Sequence, residues 1–417
     1  MTEPLSRPRR KNPLNKTRLP LLPHQGRSRA AHLLTLAAAE GRFALPGCAD
    51  CGAVHYPPRD ACPKCLGGVI VATDVADGGI VLAVTTIRAS TDSYFKERMP
   101  WRIGTVVLDA GPSLVAHLHG DVSEGQRVRL ALHLDKSGQA VVMALPQKDT
   151  PHMADDPQLR ELTLDPKFRR VLITSGRSTV GQAAARAFSS GGSSIIFVGV
   201  AEPWKPSPDV DALKGLAGVE LVALDVTNSD SVLELAKDIG AKVDIVVNTV
   251  EHVRPGGMID RHGVALAREE LESGLLGLMR LAQAFGPTLR FRAADGKNSA
   301  CAWVNLLSVY ALANWPAYGA YSAGQAAMLS AAHSLRGEFA SSGVRVVNVF
   351  TGPLDTEWFQ TVAPPKVAPT QLAAAIVAAL KRGTEDVYVG DIAEDIRSRL
   401  AINPKAVERE LGSERSS

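Results

Sequence analysis

The chain has 417 residues, of which 45% are hydrophobic and 21% are charged, and its formal net charge is +3. This length exceeds one ordinary domain core, so the composition predicts a globular protein with at least two domains. The small net charge gives no reason to expect a nucleic-acid partner, and no apolar run reaches the roughly 20 residues needed to cross a membrane.

The first 26 residues are rich in lysine, arginine and proline, as in the run SRPRRKNPLNKTR. The prolines would break both a signal-peptide core and the amphipathic helix of a transit peptide. We therefore expect residues 1–26 to form a disordered basic tail and the protein to be cytoplasmic. A binding arm is the alternative interpretation of this charged run.

Four of the five cysteines fall in the stretch GCADCGAVHYPPRDACPKC, as Cys48-x-x-Cys51 and Cys62-x-x-Cys65. Each CxxC turn aims two thiolates at one point, and two such turns complete a closed tetrahedral zinc site. We expect a structural zinc, with a catalytic zinc or a pair of disulfides as the alternatives. The fifth cysteine, Cys301, lies in an apolar run and is expected to be a buried hydrophobic residue.

The residues after the cysteines form short apolar or alternating runs separated by turn residues, which predicts a small all-β barrel. These runs are VIVATDV, GIVLAVTTI, IGTVVLDA, SLVAHLHG and QRVRLALHL. A barrel that binds single-stranded nucleic acid needs aromatic residues spread along its strands. Here Tyr94, Phe95 and Trp101 cluster in one connecting segment. We therefore expect that segment to pack on a partner or an acyl group.

Paired cysteine knuckles followed by a barrel resemble the zinc-ribbon OB-fold family associated with acyl-CoA metabolism, over about residues 27–146. The features that carry the resemblance are SRAAHLLTLAAAEGRF, the knuckles, the PPR segment and the GQRV turn. The resemblance implies an accessory subunit for a thiolase-fold condensing enzyme or a related aldolase or hydratase. It therefore implies a protein partner and an acyl-CoA substrate.

Residues 147–168 are proline-broken and charged, which predicts a linker between domains. Beyond the linker, apolar runs alternate with helical segments, which predicts a doubly wound parallel sheet of the Rossmann type. The expected order is a zinc-ribbon and OB-fold domain over residues 27–146, the linker, a Rossmann-type domain over residues 169–392 and a C-terminal tail over residues 393–417.

The first strand of the second domain ends in TSGRSTVG, a turn in which glycine allows a dinucleotide pyrophosphate to approach a helix N-terminus. Asp225 and Asn248 end later strands. With Ser308, Tyr321 and the TGPLDT turn, they resemble the short-chain dehydrogenase/reductase family over residues 169–390. The resemblance implies catalytic roles for Ser308 and Tyr321. It implies NAD(P) contacts from Thr174, Ser175, Gly176, Arg177, Gly181, Asp225, Val226, Asn248 and Thr356, with Arg177 the candidate contact for a 2′-phosphate.

The sequence departs from the family pattern around this tyrosine. Gln325 replaces the expected lysine, Gly274 replaces the relay asparagine, and Ser175 and Thr179 replace two phosphate-loop glycines. Glu251 stands where a glycine lets the nicotinamide ribose approach. A free tyrosine has a pKa near 10, and glutamine carries no charge that would lower it. These losses predict a catalytically impaired domain.

We therefore expect an accessory or scaffold subunit for acyl-CoA carbon-carbon bond chemistry, with a thiolase or aldolase partner and an oligomer formed through the Rossmann-type domain. The first alternative is an active NAD(P)-dependent 3-hydroxyacyl-CoA dehydrogenase or 3-ketoacyl-CoA reductase, with His252 and His262 as weaker candidate bases. The second alternative is a nucleic-acid-binding regulator.

Overall fold

The computed structural model describes residues 1–7, 20–22, 28–259, 264–294 and 300–413. Most of the expected basic tail and the candidate base His262 lie outside these ranges. Among the helices that are described, none combines the length and hydropathy required to cross a membrane.

The N-terminal domain begins with helix α1 (Arg29–Ala39), which is followed by an antiparallel pair of strands, β1 (Ala44–Cys48) and β2 (Ile70–Asp74). The two cysteine turns lie between these strands. Each turn is closed by a backbone hydrogen bond, from Gly52 N to Cys48 O at 2.9 Å and from Leu66 N to Cys62 O at 3.0 Å. Gly52 has φ +69°, a conformation that glycine adopts without steric cost.

A closed five-stranded barrel follows. Its strands are β3 (Gly78–Ile87), β4 (Trp101–Leu108), β5 (Ser113–Leu118), β6 (Arg127–Leu134) and β7 (Ala140–Pro146), joined in the order β3-β4-β5-β7-β6. Alternate residues of β4 are buried, as expected of a strand with one face on a core. The barrel predicted from the turn spacing is therefore confirmed.

The aromatic segment between β3 and β4 packs against the connecting segment of the same chain. It contains the short helix α2 (Ser93–Lys96), and residues 147–168 contain helix α3 (Pro157–Leu162). The Tyr94 hydroxyl donates to Glu161 Oε2 at 2.9 Å, and Arg98 Nε lies 3.2 Å from the same oxygen. Tyr94 and Trp101 are buried, so neither serves as a stacking platform for nucleic acid. The expected linker is thus a packed connection.

Arg345 joins the two domains through backbone carbonyls. Its Nη1 donates to Leu162 O at 3.2 Å and to Gly383 O at 2.7 Å, while Nη2 donates to Leu134 O at 2.6 Å. The side chain is buried, and a second contact across the same boundary pairs His133 Nδ1 with Arg382 O at 2.9 Å. Carbonyl groups at the ends of three separate elements are therefore satisfied by one guanidinium.

The second domain is a seven-stranded parallel sheet with the order β10-β9-β8-β11-β12-β13-β14. Its strands are β8 (Arg170–Ile173), β9 (Ile195–Val200), β10 (Val219–Ala223), β11 (Ile245–Asn248), β12 (Ala302–Ser308), β13 (Arg345–Thr351) and β14 (Asp386–Val389). The central strands are buried on both faces, which explains their continuous apolar sequence. The predicted fold class is confirmed.

Helices cover both faces of the sheet. They are α4 (Thr179–Ser190), α5 (Pro208–Leu213), α6 (Ser229–Ile239), α7 (Ala265–Leu271), α8 (Gly277–Ala293), α9 (Gly319–Phe339), α10 (Pro369–Arg382), α11 (Asp391–Ile402) and α12 (Pro404–Ser413). A π-helical turn, Glu272–Leu276, separates α7 from α8.

The C-terminal residues are ordered helices where the sequence led us to expect a tail. Val407 and Leu411 of α12 are buried in the main core of the Rossmann-type domain, and Ile392 of α11 packs next to Gly352. These two helices are short and strongly charged, so only a few apolar residues mark the face that packs on the sheet.

Candidate functional site

The four clustered cysteines are brought to one point by the two turns of the ribbon. Their Sγ atoms all lie within 4.8 Å of one another, with Cys48 and Cys65 3.5 Å apart and Cys51 and Cys62 3.6 Å apart. These separations exceed the roughly 2.05 Å of a disulfide bond and suit a tetrahedral metal with thiolate ligands at about 2.3 Å. All four positions are filled by protein, so the site is structural and leaves no position for a substrate.

Backbone hydrogen bonds favour the thiolate at Cys62, whereas the neighbouring Cys51 and Cys48 thiols raise the pKa of Cys65. Lys64 N donates to Cys62 Sγ at 3.4 Å. Backbone hydrogen bonds from Cys65 and Lys64 lower the pKa of Cys62 to about 6. Cys301 lies directly before β12, far along the chain from the ribbon, and is buried. Burial raises the pKa of its thiol to about 12, which fits the expected role as a buried apolar residue.

The loop after β8 is tied to the end of β11. Thr174 Oγ1 donates to Asn248 Oδ1 at 3.1 Å and accepts from Thr249 N at 3.0 Å. Thr174 and Asn248 are both buried, so the structure gives them a role in holding the loop. Helix α4 begins directly after this loop, with the Ser178 hydroxyl capping Gly181 N at 3.0 Å.

Gly181 is required by close packing inside this loop. A Cβ atom at this position would lie 1.6 Å from Ser175 O. Gly176 is also confined, because its Cβ would lie 2.5 Å from Val198 Cγ1. Ser175 is half-buried and Thr179 is exposed, so the loop accommodates the two side chains that replace glycines.

Arg177 binds the loop that follows β9. Its Nε donates to Ala201 O at 2.8 Å, and its Nη2 donates to Glu202 O and Lys205 O, both at 2.7 Å. The guanidinium is therefore engaged with three backbone carbonyls in this conformation. A 2′-phosphate would have to compete with them.

Asp225 and Val226 lie just beyond β10, at the same edge of the sheet. Asp225 Oδ1 accepts from Thr227 N at 2.9 Å and from Thr227 Oγ1 at 2.7 Å. Val226 is buried next to Gly277. A Cβ atom added to this glycine would lie 3.1 Å from Val226 Cγ2. The carboxyl ends of parallel strands, where the strand order reverses between β8 and β11, are where dinucleotides bind in such sheets.

Three threonine hydroxyls at this edge are buried and have no hydrogen-bond partner among the described residues. They belong to Thr249, Thr351 and Thr356. A buried hydroxyl without a partner costs free energy, so these groups fit a polar ligand such as a nicotinamide dinucleotide. Thr249 was not a candidate from the sequence, although it directly follows the Asn248 that was.

Ser308 and Tyr321 are brought together at the end of β12. Ser308 Oγ accepts from Tyr310 N at 3.2 Å. Tyr321 lies on α9, is buried, and its hydroxyl donates to Glu251 Oε1 at 3.3 Å. Burial and the Glu251 carboxyl raise the pKa of Tyr321 well above its usual value, and a hydrogen bond from Ser308 offsets this only in part.

Gln325 and Gly274 occupy the expected lysine and asparagine positions. Gln325 Oε1 accepts from Ser308 N at 2.8 Å, and its Nε2 lies 3.8 Å from Met328 Sδ. A Cβ atom on Gly274 would lie 2.8 Å from the same sulfur. An asparagine would therefore require the Met328 side chain to shift, and in this structure Gly274 serves packing while Gln325 serves hydrogen bonding at the strand end.

Two carboxyl groups beside Tyr321 were not candidate site residues in the sequence analysis. Glu251 and Glu270 line a cavity of about 10 Å³ together with Tyr321. Burial raises the pKa of each carboxyl to about 7. Glu251 appeared in the sequence only as a departure from a glycine, and Glu270, within ALAREEL, carries no signal that distinguishes it from a solvated acid.

The candidate base His252 lies beside this cavity. Its Nε2 is 3.3 Å from Glu269 Oε2, and its ring is 5.3 Å from that of Trp358. Burial lowers the pKa of His252. The histidine is thus near the site and paired with a carboxylate.

A larger cavity, of about 350 Å³, lies elsewhere, between the connecting segment and the Rossmann-type domain. Lys167, Lys381 and Asp155 are among its lining residues. None of the residues predicted to form a site lines it, and the chemistry described above is at the sheet edge.

Comparison with family models divides the chain in the same way as the fold. Residues 37–71 match the rubredoxin-like zinc ribbon domain of ChsH2, and residues 72–133 match the C-terminal OB-fold domain of ChsH2. Residues 175–393, a little over half of the chain, match the model described as enoyl-(acyl carrier protein) reductase.

Curated relatives and a solved structure match the second domain. The short-chain dehydrogenase cctT of Talaromyces islandicus is 30% identical over 196 residues, which cover 45% of this chain and 64% of that protein, slightly less than two thirds of its length. The short-chain dehydrogenase PC-15 of Penicillium crustosum is 30% identical over 247 residues, covering 55% of this chain and 85% of that protein.

A short-chain dehydrogenase from Burkholderia cenocepacia, solved in complex with NADP, superposes with a TM-score of 0.53 at 27% identity, covering 59% of this chain and 98% of that chain. The chain therefore belongs to the short-chain dehydrogenase/reductase family and carries N-terminal zinc-ribbon and OB-fold domains of the ChsH2 type.

Proposed function

We propose that this chain is an accessory subunit for acyl-CoA carbon-carbon bond chemistry, and that its N-terminal domain binds a thiolase-fold or aldolase partner. The observation that carries the proposal is the closed zinc site next to a barrel of the ChsH2 type. Because the zinc has no position for a substrate, this domain supports binding of a protein better than chemistry.

An exposed apolar surface on the N-terminal domain supports a docking role. On the ribbon, Leu66 is 81% exposed and Val69 is 57% exposed. On the barrel, Ile80 and Val115 lie on one outward face, because Ile80 pairs with Val107 and Val115 pairs with the nearby Thr105. Apolar residues grouped on a surface in this way are typical of interaction sites.

Co-purification of the full chain with its neighbouring gene products tests this role. We expect a thiolase-fold or aldolase protein to be retained by the wild-type chain, and Val115→Asp to weaken retention at least about tenfold, since a charge would be buried in the interface. Leu233→Asp is the matched control, because Leu233 is 47% exposed on the other domain. Failure to retain such a protein, or equal loss in both variants, would refute the docking role.

We also propose that the Rossmann-type domain is impaired as an ordinary dehydrogenase. The largest influences on the pKa of Tyr321 are burial, Glu251, Ser308 and Tyr310, and none of these is a cation. Each unit by which the pKa stays raised corresponds to about 1.4 kcal/mol against the phenolate. Tyr321 therefore acts as a hydrogen-bond donor at neutral pH.

A second candidate function is an NAD(P)-dependent reductase of a 3-ketoacyl-CoA. The three unpartnered hydroxyls of Thr249, Thr351 and Thr356 favour a bound dinucleotide, which when bound would supply a hydride. Ser308 and Tyr321 would hydrogen-bond the substrate carbonyl, and Tyr321 would donate a proton to its oxygen. Fluorescence titration with NADH and NADPH tests this function: micromolar binding and turnover that is lost in Tyr321→Phe would support it.

The expected oligomer and location are proposals as well. Leu271, Leu276 and Met279 are between 36% and 44% exposed along the turn from α7 into α8, which supports association of copies through this side of the Rossmann-type domain. A zinc site made of four thiolates needs reduced cysteines, which supports the cytoplasm as its location.

A further inference from the structure

The Tyr321 hydroxyl has a carboxyl group as its side-chain partner. It donates to Glu251 Oε1 at 3.3 Å. The residue one helical turn later, Gln325, is turned toward the end of β12, where it accepts from Ser308 N at 2.8 Å. The group best placed to exchange a proton with Tyr321 is therefore Glu251.

A cavity beside this pair has the volume of about one water molecule. It measures about 10 Å³, and Tyr321, Glu251 and Glu270 all line it. Glu270 is 5% exposed, and its Oε2 has no hydrogen-bond partner within the described part of the chain. Its other oxygen, Oε1, accepts from Arg254 N at 3.2 Å. A water in this cavity would satisfy Glu270 Oε2 and reach Glu251.

The charged surroundings of Glu251 are mostly acidic. The titratable groups around it are Tyr321 from α9, Glu357 from the turn Glu357–Phe359, Glu269 and Glu270 from α7, and His252 and Arg254 from its own loop. His252 is paired with Glu269, and the Arg254 guanidinium lies 4.9 Å from the centre of the Trp358 ring. Burial and the Glu357 charge therefore raise the pKa of Glu251 to about 7, although the hydrogen bond from Tyr321 lowers it, so the carboxyl is available in its protonated form up to neutral pH.

We propose that Glu251 acts through Tyr321 as the proton source that restores its hydroxyl during carbonyl reduction, and that a water held between Glu251 and Glu270 returns the proton from solvent. This proposal rests on the reductase function described above. It gives the site a neutral acid where the family resemblance led us to expect a lysine.

Reduction by this route needs one hydride and one proton, and the chain supplies the proton. A reduced nicotinamide dinucleotide, when bound, would supply the hydride for the carbonyl carbon and would itself be oxidised. The O–H bond of Tyr321 breaks as its proton forms the new O–H bond of the alcohol. The O–H bond of Glu251 then breaks and re-forms the Tyr321 hydroxyl, which leaves a carboxylate. Solvent protonates that carboxylate through the water beside Glu270.

Difference infrared spectroscopy of the full chain tests the Glu251–Tyr321 coupling without any turnover. Glu270, whose pKa burial also raises to about 7, should give a protonated-carboxyl band in every variant. We expect Glu251 to give a second band, which disappears as the pH passes about 7 and is missing from Glu251→Gln. Tyr321→Phe should move its midpoint upward, because the hydrogen bond from Tyr321 favours the carboxylate. Glu357→Gln, at an exposed position, is the control: it should retain the band with a midpoint moved downward, because the Glu357 charge raises the pKa of Glu251. Equal bands in the wild type and Glu251→Gln, or a midpoint of the Glu251 band that does not move in Tyr321→Phe, would overturn the proposal.

The pH profile of ketone reduction then separates this proposal from the function on which it rests. We expect wild-type kcat to fall about tenfold per pH unit above pH 7, Glu251→Gln to be slower with a flat profile, and Glu251→Asp to recover the slope in part. An unchanged profile in Glu251→Gln would overturn the proposal and leave the reductase function standing. Absence of reduction by the wild type at every pH would overturn both.

Discussion

Replacement of Arg345 by methionine should loosen the contact between the two domains. The substitution removes hydrogen bonds to the carbonyls of Leu134, Leu162 and Gly383, at 2.6, 3.2 and 2.7 Å. A buried hydrogen bond from a charged group contributes about 1.5–3 kcal/mol, and relief from burying the guanidinium offsets part of that sum. Glu385 also loses a cation 4.0 Å away but keeps Arg336 at 3.6 Å.

We therefore expect a loss of about 3–5 kcal/mol, which raises the population of the open form by about 10²- to 4 × 10³-fold. Limited proteolysis measures this population, because the connecting segment at residues 147–168 becomes accessible only when its contacts open. Arg127→Met is the control. This exposed arginine forms a surface ion pair with Asp109, so its replacement should cost less than about 1 kcal/mol of stability. Cleavage of Arg345→Met at the wild-type rate would refute the reasoning.

Four further outcomes are expected. Cys62→Ser should abolish the single zinc per chain measured by metal analysis and unfold the ribbon, whereas retention of zinc would contradict the four-cysteine site. Gly181→Ala should cost about 1–3 kcal/mol in urea unfolding, because its Cβ would lie 1.6 Å from Ser175 O, while Gly337→Ala, with open space around it, should not. Glu251→Gln should raise the free energy of unfolding by about 1–3 kcal/mol at pH 8 and have little effect at pH 4.5. The raised pKa of Glu251 means that the folded state favours the protonated carboxyl, and the stability that this contributes is lost as the pH rises toward about 7. Gln325→Lys should lower the pKa of Tyr321, measured by absorbance of the phenolate, by about 1–3 units, and no change would contradict the electrostatic argument.

The parts of the structure that were predictable from the sequence are those whose residues are close together along the chain. The paired CxxC turns and the apolar strands are local patterns, so the zinc site and both sheet architectures followed from them. Ser308 and Tyr321 were candidates through the family resemblance, and their catalytic roles remain a prediction. In each case, the interacting atoms belong to one short segment or to adjacent strand ends.

The parts that were missed depend on contacts between distant segments. Arg345 binds carbonyls from three separate elements, at positions 134, 162 and 383, and no local pattern reports this. Helix α3 of the connecting segment is short and charged, yet its Glu161 is buried against Tyr94 and Arg98 of the N-terminal domain. Glu270 is an ordinary helical acid until α9 and the loop after β11 enclose it.

The ionisation of Tyr321 is the most direct test of the central claim that the acid-base partner of this phenol is a carboxyl and not a cation. Ultraviolet difference titration of the wild-type chain against Tyr321→Phe isolates its phenolate signal. We expect no phenolate from Tyr321 below pH 10, since burial and Glu251 both oppose the negative charge. A Tyr321-dependent phenolate that appears near pH 7 would contradict the claim.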